Sequence, residues 1–153
     1  MKKMLLSSCI ALALAFAAPS HADSPEADVR AAFQKFVAAQ NAHDLAAVTS
    51  MLWKSPEMLF FSRGLEVRGA DAVAERFKSY YQGTWHLEPD MANLRTAALS
   101  DAVVQILVPI EFTRGLPGGE PERHTFLISQ SFVKQADGWH VASILPIANT
   151  QIK

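Results

Sequence analysis

Residues 102–113 read AVVQILVPIEFT, and this stretch decides the fold. Apolar side chains occupy every second position: Val104, Ile106, Val108, Ile110 and Phe112. Because successive side chains of a β-strand point to opposite faces, the pattern predicts a long strand with one buried face. The other positions mix polar and apolar residues, so we expect the second face to be only partly covered.

Further strands are predicted on both sides of this one. Two short segments flank a turn at Arg63-Gly64, and three longer segments alternate in the second half of the chain. Residues 114–119 read as a loop, because they are rich in glycine and proline. The predicted strands are 58–61, 65–68, 91–99, 102–113, 124–135 and 139–147.

Helical patterns are confined to the first half of the chain. Ser24-Pro25-Glu26 is a typical helix start, with a capping serine and proline at the first helical position. Apolar residues at steps of three and four then predict a helix to about residue 42, and Asp44 caps a second, shorter helix. A third helix is expected from Gly69 to near Gly83.

The order helix, helix, hairpin, helix and then strands indicates an α+β fold. We expect three N-terminal helices packed on one face of a curved antiparallel sheet, as a cone-shaped α+β barrel. The mouth of such a cone is the natural place for a small molecule.

The first 22 residues read as a secretory signal peptide. Lys2 and Lys3 precede an apolar run, and Ser20-His21-Ala22 is a small-x-small cleavage site. A membrane anchor is the alternative, but the run is short for a span. We therefore expect one domain over residues 23–153 in a secreted, periplasmic protein that has no membrane contact after cleavage.

Composition excludes several function classes. Without the leader, 12 basic residues face 15 acidic ones, a net charge of −3, so nucleic acid is not an expected partner. Cys9 is the only cysteine and lies in the leader. The four histidines outside the leader lack metal-ligand spacing, so no metal and no cofactor are predicted. They are His43, His86, His124 and His140.

Three motifs carry a family resemblance. They are the helical segment 36–45 (FVAAQNAHDL), the segment 64–69 (GLEVRG) before a helix, and the ending 137–142 (DGWHVA). In this order and spacing they resemble the nuclear transport factor 2-like superfamily, in its branch of SnoaL-like polyketide cyclases and ketosteroid isomerases. The resemblance implies the cone-shaped fold, which hosts enzymes, carriers and assembly modules alike.

The catalytic residues of the isomerases are not matched in this chain. The resemblance places the family's catalytic tyrosine at Phe36 and its carboxylate base on or next to Phe60. Residues 125–135, which would carry the second acid, contain no Asp or Glu. Histidines that many SnoaL-like members carry on the last strand correspond to Ser143 and Leu145. Catalytic residues are therefore predicted to be none.

A pocket with an aromatic wall and a few polar side chains is the remaining candidate site. For most of the apolar positions the alternative is simple core packing, and for Trp85 and His86 it is a surface loop after the third helix. The predicted lining residues are Phe36, Met58, Phe60, Tyr81, Trp85, His86, Ser129 and Ser143.

Three functions follow as hypotheses. The first is a binding domain for a small hydrophobic molecule, without catalysis. The second is an enzyme of the polyketide cyclase, isomerase or dehydratase type. The third is a dimerisation or assembly module whose cone is filled by its own side chains. We also expect a homodimer through the outer face of the sheet, which carries Val103, Gln105, Leu107, Pro109 and Glu111.

Overall fold

The computed structural model describes residues 24–148. The predicted signal peptide lies outside the described residues. In chain order the helices and strands are α1 (Pro25–Asn41), α2 (Leu45–Met51), β1 (Leu59–Ser62), β2 (Leu65–Arg68), α3 (Ala70–Tyr80), β3 (Thr84–Pro89), β4 (Arg95–Ser100), β5 (Val103–Gly115), β6 (Glu122–Gln135) and β7 (Gly138–Ala148). None of the described helices is long and apolar enough to cross a membrane.

The helix boundaries follow local sequence chemistry. The Ser24 hydroxyl accepts a hydrogen bond from the Ala27 N–H, and the Asp44 carboxylate does the same for the Ala47 N–H. Gly69 precedes α3 with φ +86°, a conformation that glycine adopts without strain. The predicted starts of all three helices are confirmed within one residue.

The sheet of the described chain has seven strands in the order β2-β1-β7-β6-β5-β3, with β4 also paired to β5. The α+β prediction is confirmed, and two details are corrected. The sheet is mixed, because β1 runs parallel to β7, and it does not close into a barrel. A strand that the sequence analysis missed, β3, pairs along the second half of β5.

The core lies between the helices and the concave face of the sheet. The five alternating side chains of β5 from Val104 to Phe112 are all buried there, as predicted. Helix α1 adds Val29, Phe33 and Phe36, and α3 adds Phe77. The core is therefore built from one face of each of these elements.

Candidate functional site

A cavity of about 70 Å³ lies between the helices and the concave face of the sheet. The wall is mainly aromatic, with aliphatic side chains such as Ile110 and Ile144 from neighbouring strands. The described aromatic residues of the wall are Phe33, Phe60, Phe77, Tyr80, Trp85, Phe112 and Phe126. A cavity needs about 10–15 Å³ of such volume to hold one water, so this one has room for several waters.

A second hollow of about 490 Å³ adjoins the cavity. It is a groove between the C-terminal end of α3, the start of β3 and the β5–β6 loop, and it contains Arg76, Glu120 and Glu122. Tyr80, Trp85 and Arg114 line both the cavity and the groove, and so mark their junction.

Stacked rings form the wall at this junction. The Trp85 and Tyr80 ring centroids are 4.6 Å apart with planes inclined by 15°, and Phe112 meets Trp85 edge-on at 4.6 Å. The Arg76 guanidinium lies 4.8 Å from the Tyr80 ring centroid, and its Nε donates a 2.9 Å hydrogen bond to the Tyr80 hydroxyl. These contacts hold Tyr80 and Trp85 in a defined orientation.

The polar side chains that line the cavity carry amide, hydroxyl or guanidinium groups. They are the amides of Gln40 and Gln130, the hydroxyls of Ser62 and Tyr80, and the guanidinium groups of Arg63 and Arg114. The described residues that line the cavity include no Asp, Glu or His. A carboxylate or imidazole, the usual general base, is therefore absent from this part of the lining.

Two of the eight predicted pocket residues, Phe60 and Trp85, lie in the cavity wall. Phe36 and Met58 are completely buried in the core and are not in the lining. The Phe36 ring packs against Phe77 at 6.0 Å, so it supports the wall from behind.

Three other predictions placed residues on the wrong face of a strand. Because Trp85 and Leu87 point into the cavity, His86 points outward, where its half-exposed side chain pairs with Glu88 at 3.3 Å. By the same alternation, the side chains of Ser129 and Gln130 lie on opposite faces of β6. On the outer face the Ser129 hydroxyl accepts a hydrogen bond from the Gln105 amide.

Ser143 likewise lies on the face opposite Ile144, and its hydroxyl accepts a hydrogen bond from the Ser131 N–H. The register of β7 shifts beside it, between Ser131 and Phe132 of β6, and a sequence pattern of period two does not reveal such a shift.

Tyr81 lies beside the site rather than in its lining. It stacks on His43, with ring centroids 4.8 Å apart, and its buried hydroxyl has no partner among the described residues. Burial, with a smaller contribution from the nearby Asp44 carboxylate, raises the pKa of the Tyr81 phenol well above its usual value.

Sequence reasoning missed Arg63, Tyr80 and Arg114 as residues of the lining. For Arg114 the signal was available: it continues the alternation of Ile110 and Phe112, and β5 extends to Gly115 instead of ending at Thr113. Tyr80 also fits the helical stripe of Val73 and Phe77. Arg63 belongs to a turn, where no periodicity predicts the direction of a side chain.

Residues 29–145 match the family model of the SnoaL-like domain. The chain belongs to the SnoaL-like family. The predicted resemblance is thereby confirmed over most of the chain. Among curated proteins, no sequence match to this SnoaL-like chain was found.

Solved structures agree on the fold of this SnoaL-like domain. A nuclear transport factor 2 (NTF2-like) superfamily protein from Salmonella enterica serovar Typhimurium is similar with TM-score 0.74 and 16% identity, over 84% of this chain and 93% of that one. A ketosteroid isomerase-like protein from Erwinia carotovora atroseptica gives 0.67 and 18%, over 82% and 97%. An NTF-2 like protein of unknown function from Shewanella oneidensis gives 0.67 and 17%, over 80% and 98%. At these identities the likeness establishes the fold alone.

Proposed function

We propose that this SnoaL-like domain binds a small, mainly hydrophobic molecule at its cavity. One observation carries the proposal: an aromatic-walled cavity, whose described lining includes no Asp, Glu or His, shares Tyr80, Trp85 and Arg114 with a larger groove. Ligand sites in proteins commonly combine an apolar wall with a few placed polar groups.

The size of the hollows supports a ligand that spans both of them. Ligand pockets usually measure about 300–1,000 Å³. The cavity, at about 70 Å³, is far below this range, whereas the groove, at about 490 Å³, lies within it. The cavity can therefore take one end of a molecule, while the groove takes the rest.

Binding of neutral aromatic probes tests this function. Indole and phenylacetamide, followed by NMR, are expected to shift the methyl resonances of Ile110 and Ile144 and to leave those of exposed Leu99 unchanged. Ile110→Phe fills the cavity and should abolish these shifts, whereas Leu99→Phe should not. Binding that persists in Ile110→Phe, or shifts confined to other surfaces, would reject the cavity as the site.

A second candidate, an assembly module with a filled cone, is favoured by the small volume of the cavity. If this candidate is correct, no ligand binds in the cavity, and neither Ile110→Phe nor Leu99→Phe changes the binding of a ligand.

We also propose that the protein is secreted into the periplasm after cleavage behind Ala22. The basic start, the apolar run and the small residues of the leader support this localisation. Mass spectrometry of the protein from a periplasmic extract should give an N-terminus at Asp23. A chain that still begins at Met1 would contradict the proposal.

A further inference from the structure

The junction between cavity and groove offers hydrogen-bond donors. Arg114 lines both hollows there and carries a permanent positive charge. Trp85 lines both as well, but its Nε1–H is buried and is not exposed to either hollow. A ligand that complements Arg114 must present acceptor atoms at this point.

Among the described residues, three arginines and two acids line the two hollows. Arg63 lies at the cavity, Arg76 in the groove and Arg114 at both, and none of the three forms an ion pair within the described part of the chain. The opposing acids are Glu120 and Glu122, which also line the groove.

Glu122 stands opposite Arg114 in the β5–β6 register, but its carboxylate binds His124 at 3.0 Å instead. Arg114 therefore keeps its donors available, although its nearest acidic neighbour across the strands could have paired with it.

The backbone conformation of Arg63 is a second indication that this arginine has a functional role. Arg63 and Gly64 form the two-residue β1–β2 turn with φ +54° and +80°. Such turns favour Asn-Gly, because both positions require positive φ. Arginine at the first position carries a steric cost that asparagine would lower, and strain of this kind collects at functional positions. Its side chain lies at the cavity, which supplies a reason for arginine to occupy the turn.

We propose that the ligand is a small amphipathic acid, with an apolar body in the cavity and a carboxylate or similar oxyanion at the junction. Arg114 and Arg63 bind the oxyanion. The inference rests on the proposed function of the cavity and adds the charge of its ligand. Guanidinium groups suit this task because their planar donors match a carboxylate.

Titration calorimetry with phenylacetate and its neutral isostere phenylacetamide tests the charge. The acid is expected to bind about tenfold more tightly than the amide, because hydrogen bonds to charged groups are stronger than those between neutral groups. Its affinity should fall as sodium chloride is added, while that of the amide should not.

Arginine variants assign the effect to the junction. Arg114→Gln should weaken phenylacetate binding about tenfold and leave phenylacetamide nearly unchanged. Arg63→Asn should also weaken the acid, yet keep or raise the thermal midpoint, because asparagine suits the turn. Arg123→Gln is the matched control, since Arg123 pairs with Glu111 on the outer face at 2.8 Å.

The outcomes distinguish the inference of an anionic ligand from the proposed binding function on which it rests. Equal affinities for acid and amide, with no loss in Arg114→Gln, would overturn the anionic ligand and leave the binding function standing. An equal loss for both probes in Arg114→Gln would also overturn it, because the residue would then act through structure. Failure of both probes to bind would overturn both proposals.

Discussion

The indole ring of Trp85 stacks on the phenol ring of Tyr80, with centroids 4.6 Å apart. Tyr80 comes from the last turn of α3 and Trp85 from the second position of β3, so this contact joins the two elements on either side of the junction. Arg76 anchors Tyr80 through its hydroxyl, and Phe112 supports Trp85 from β5. The proposed ligand would therefore meet a wall that is already ordered.

Tryptophan emission should report binding at this wall. Trp53, Trp85 and Trp139 are the three tryptophans of the chain. In a Trp53→Phe/Trp139→Phe variant, phenylacetate should change the intensity or wavelength of Trp85 emission, because Trp85 lines the cavity. Trp85→Phe should show no response to phenylacetate. A response that survives in Trp85→Phe would place binding elsewhere.

Asn41 should contribute to stability by fixing β3. Its amide donates to the Leu87 carbonyl at 2.9 Å, and its carbonyl accepts from the Leu87 N–H at 2.8 Å, in the manner of a neighbouring strand. Asn41→Ala leaves both part-buried groups unpaired and should lower the free energy of unfolding by about 2 kcal/mol. Urea denaturation measures the change.

Asn93→Ala is the control for this variant, because Asn93 bonds only to Asp90 within an exposed turn. It should change the free energy of unfolding by less than about 0.5 kcal/mol. Similar losses in Asn93→Ala and Asn41→Ala would mean that pairing with Leu87 is not what stabilises β3.

Acid stability should depend on Asp137. A hydrogen bond from His140, the Asp137 backbone N–H and the charges of His140 and Lys54 lower the pKa of the Asp137 carboxyl. Because the folded-state pKa lies below the unfolded value of about 3.9, the contribution is present above that value and is lost as the pH falls below it.

Asp137→Asn should therefore flatten the fall of the urea midpoint below about pH 4. Asp101→Asn, which changes an exposed carboxylate in the β4–β5 turn, serves as the comparison. If Asp137→Asn leaves the fall of the urea midpoint at acid pH unchanged, the His140 contact has no effect on stability.

The outer face of the sheet should form a homodimer. Val103, Leu107 and Pro109 on this face are only half-buried, and Gln105 binds Ser129 beside them. We propose that a second copy of the chain covers this face, because a mixed apolar surface of this kind is typical of subunit contacts. Light scattering should give twice the chain mass, and Leu107→Glu should give a monomer. A monomeric wild-type protein at micromolar concentration would contradict this.

Local patterns were enough for the elements whose structure depends on their own residues. The alternation of residues 102–113 predicted the buried face of β5, and Arg63-Gly64 predicted the turn between β1 and β2. Ser24 and Asp44 predicted helix starts, because capping involves atoms only a few positions apart. In each case the interaction that determines the structure lies within one element.

The position of β3 depended on partners distant in sequence. Its residues 84–89 also alternate, but such a short segment is equally compatible with a surface loop after α3. It becomes a strand because β5 pairs along it and the Asn41 side chain bonds to Leu87. Neither partner can be recognised from residues 84–89 alone.

The sequence by itself thus determined the α+β class, the SnoaL-like resemblance and the absence of acids from residues 125–135. Only the tertiary structure decided which side chains meet at the cavity. Arg63, Tyr80, Trp85 and Arg114 come from a turn, a helix and two strands, and the pairing of β3 with β5 brings Trp85 opposite Arg114. Such a meeting depends on sheet register and helix packing, which are collective properties of the folded chain.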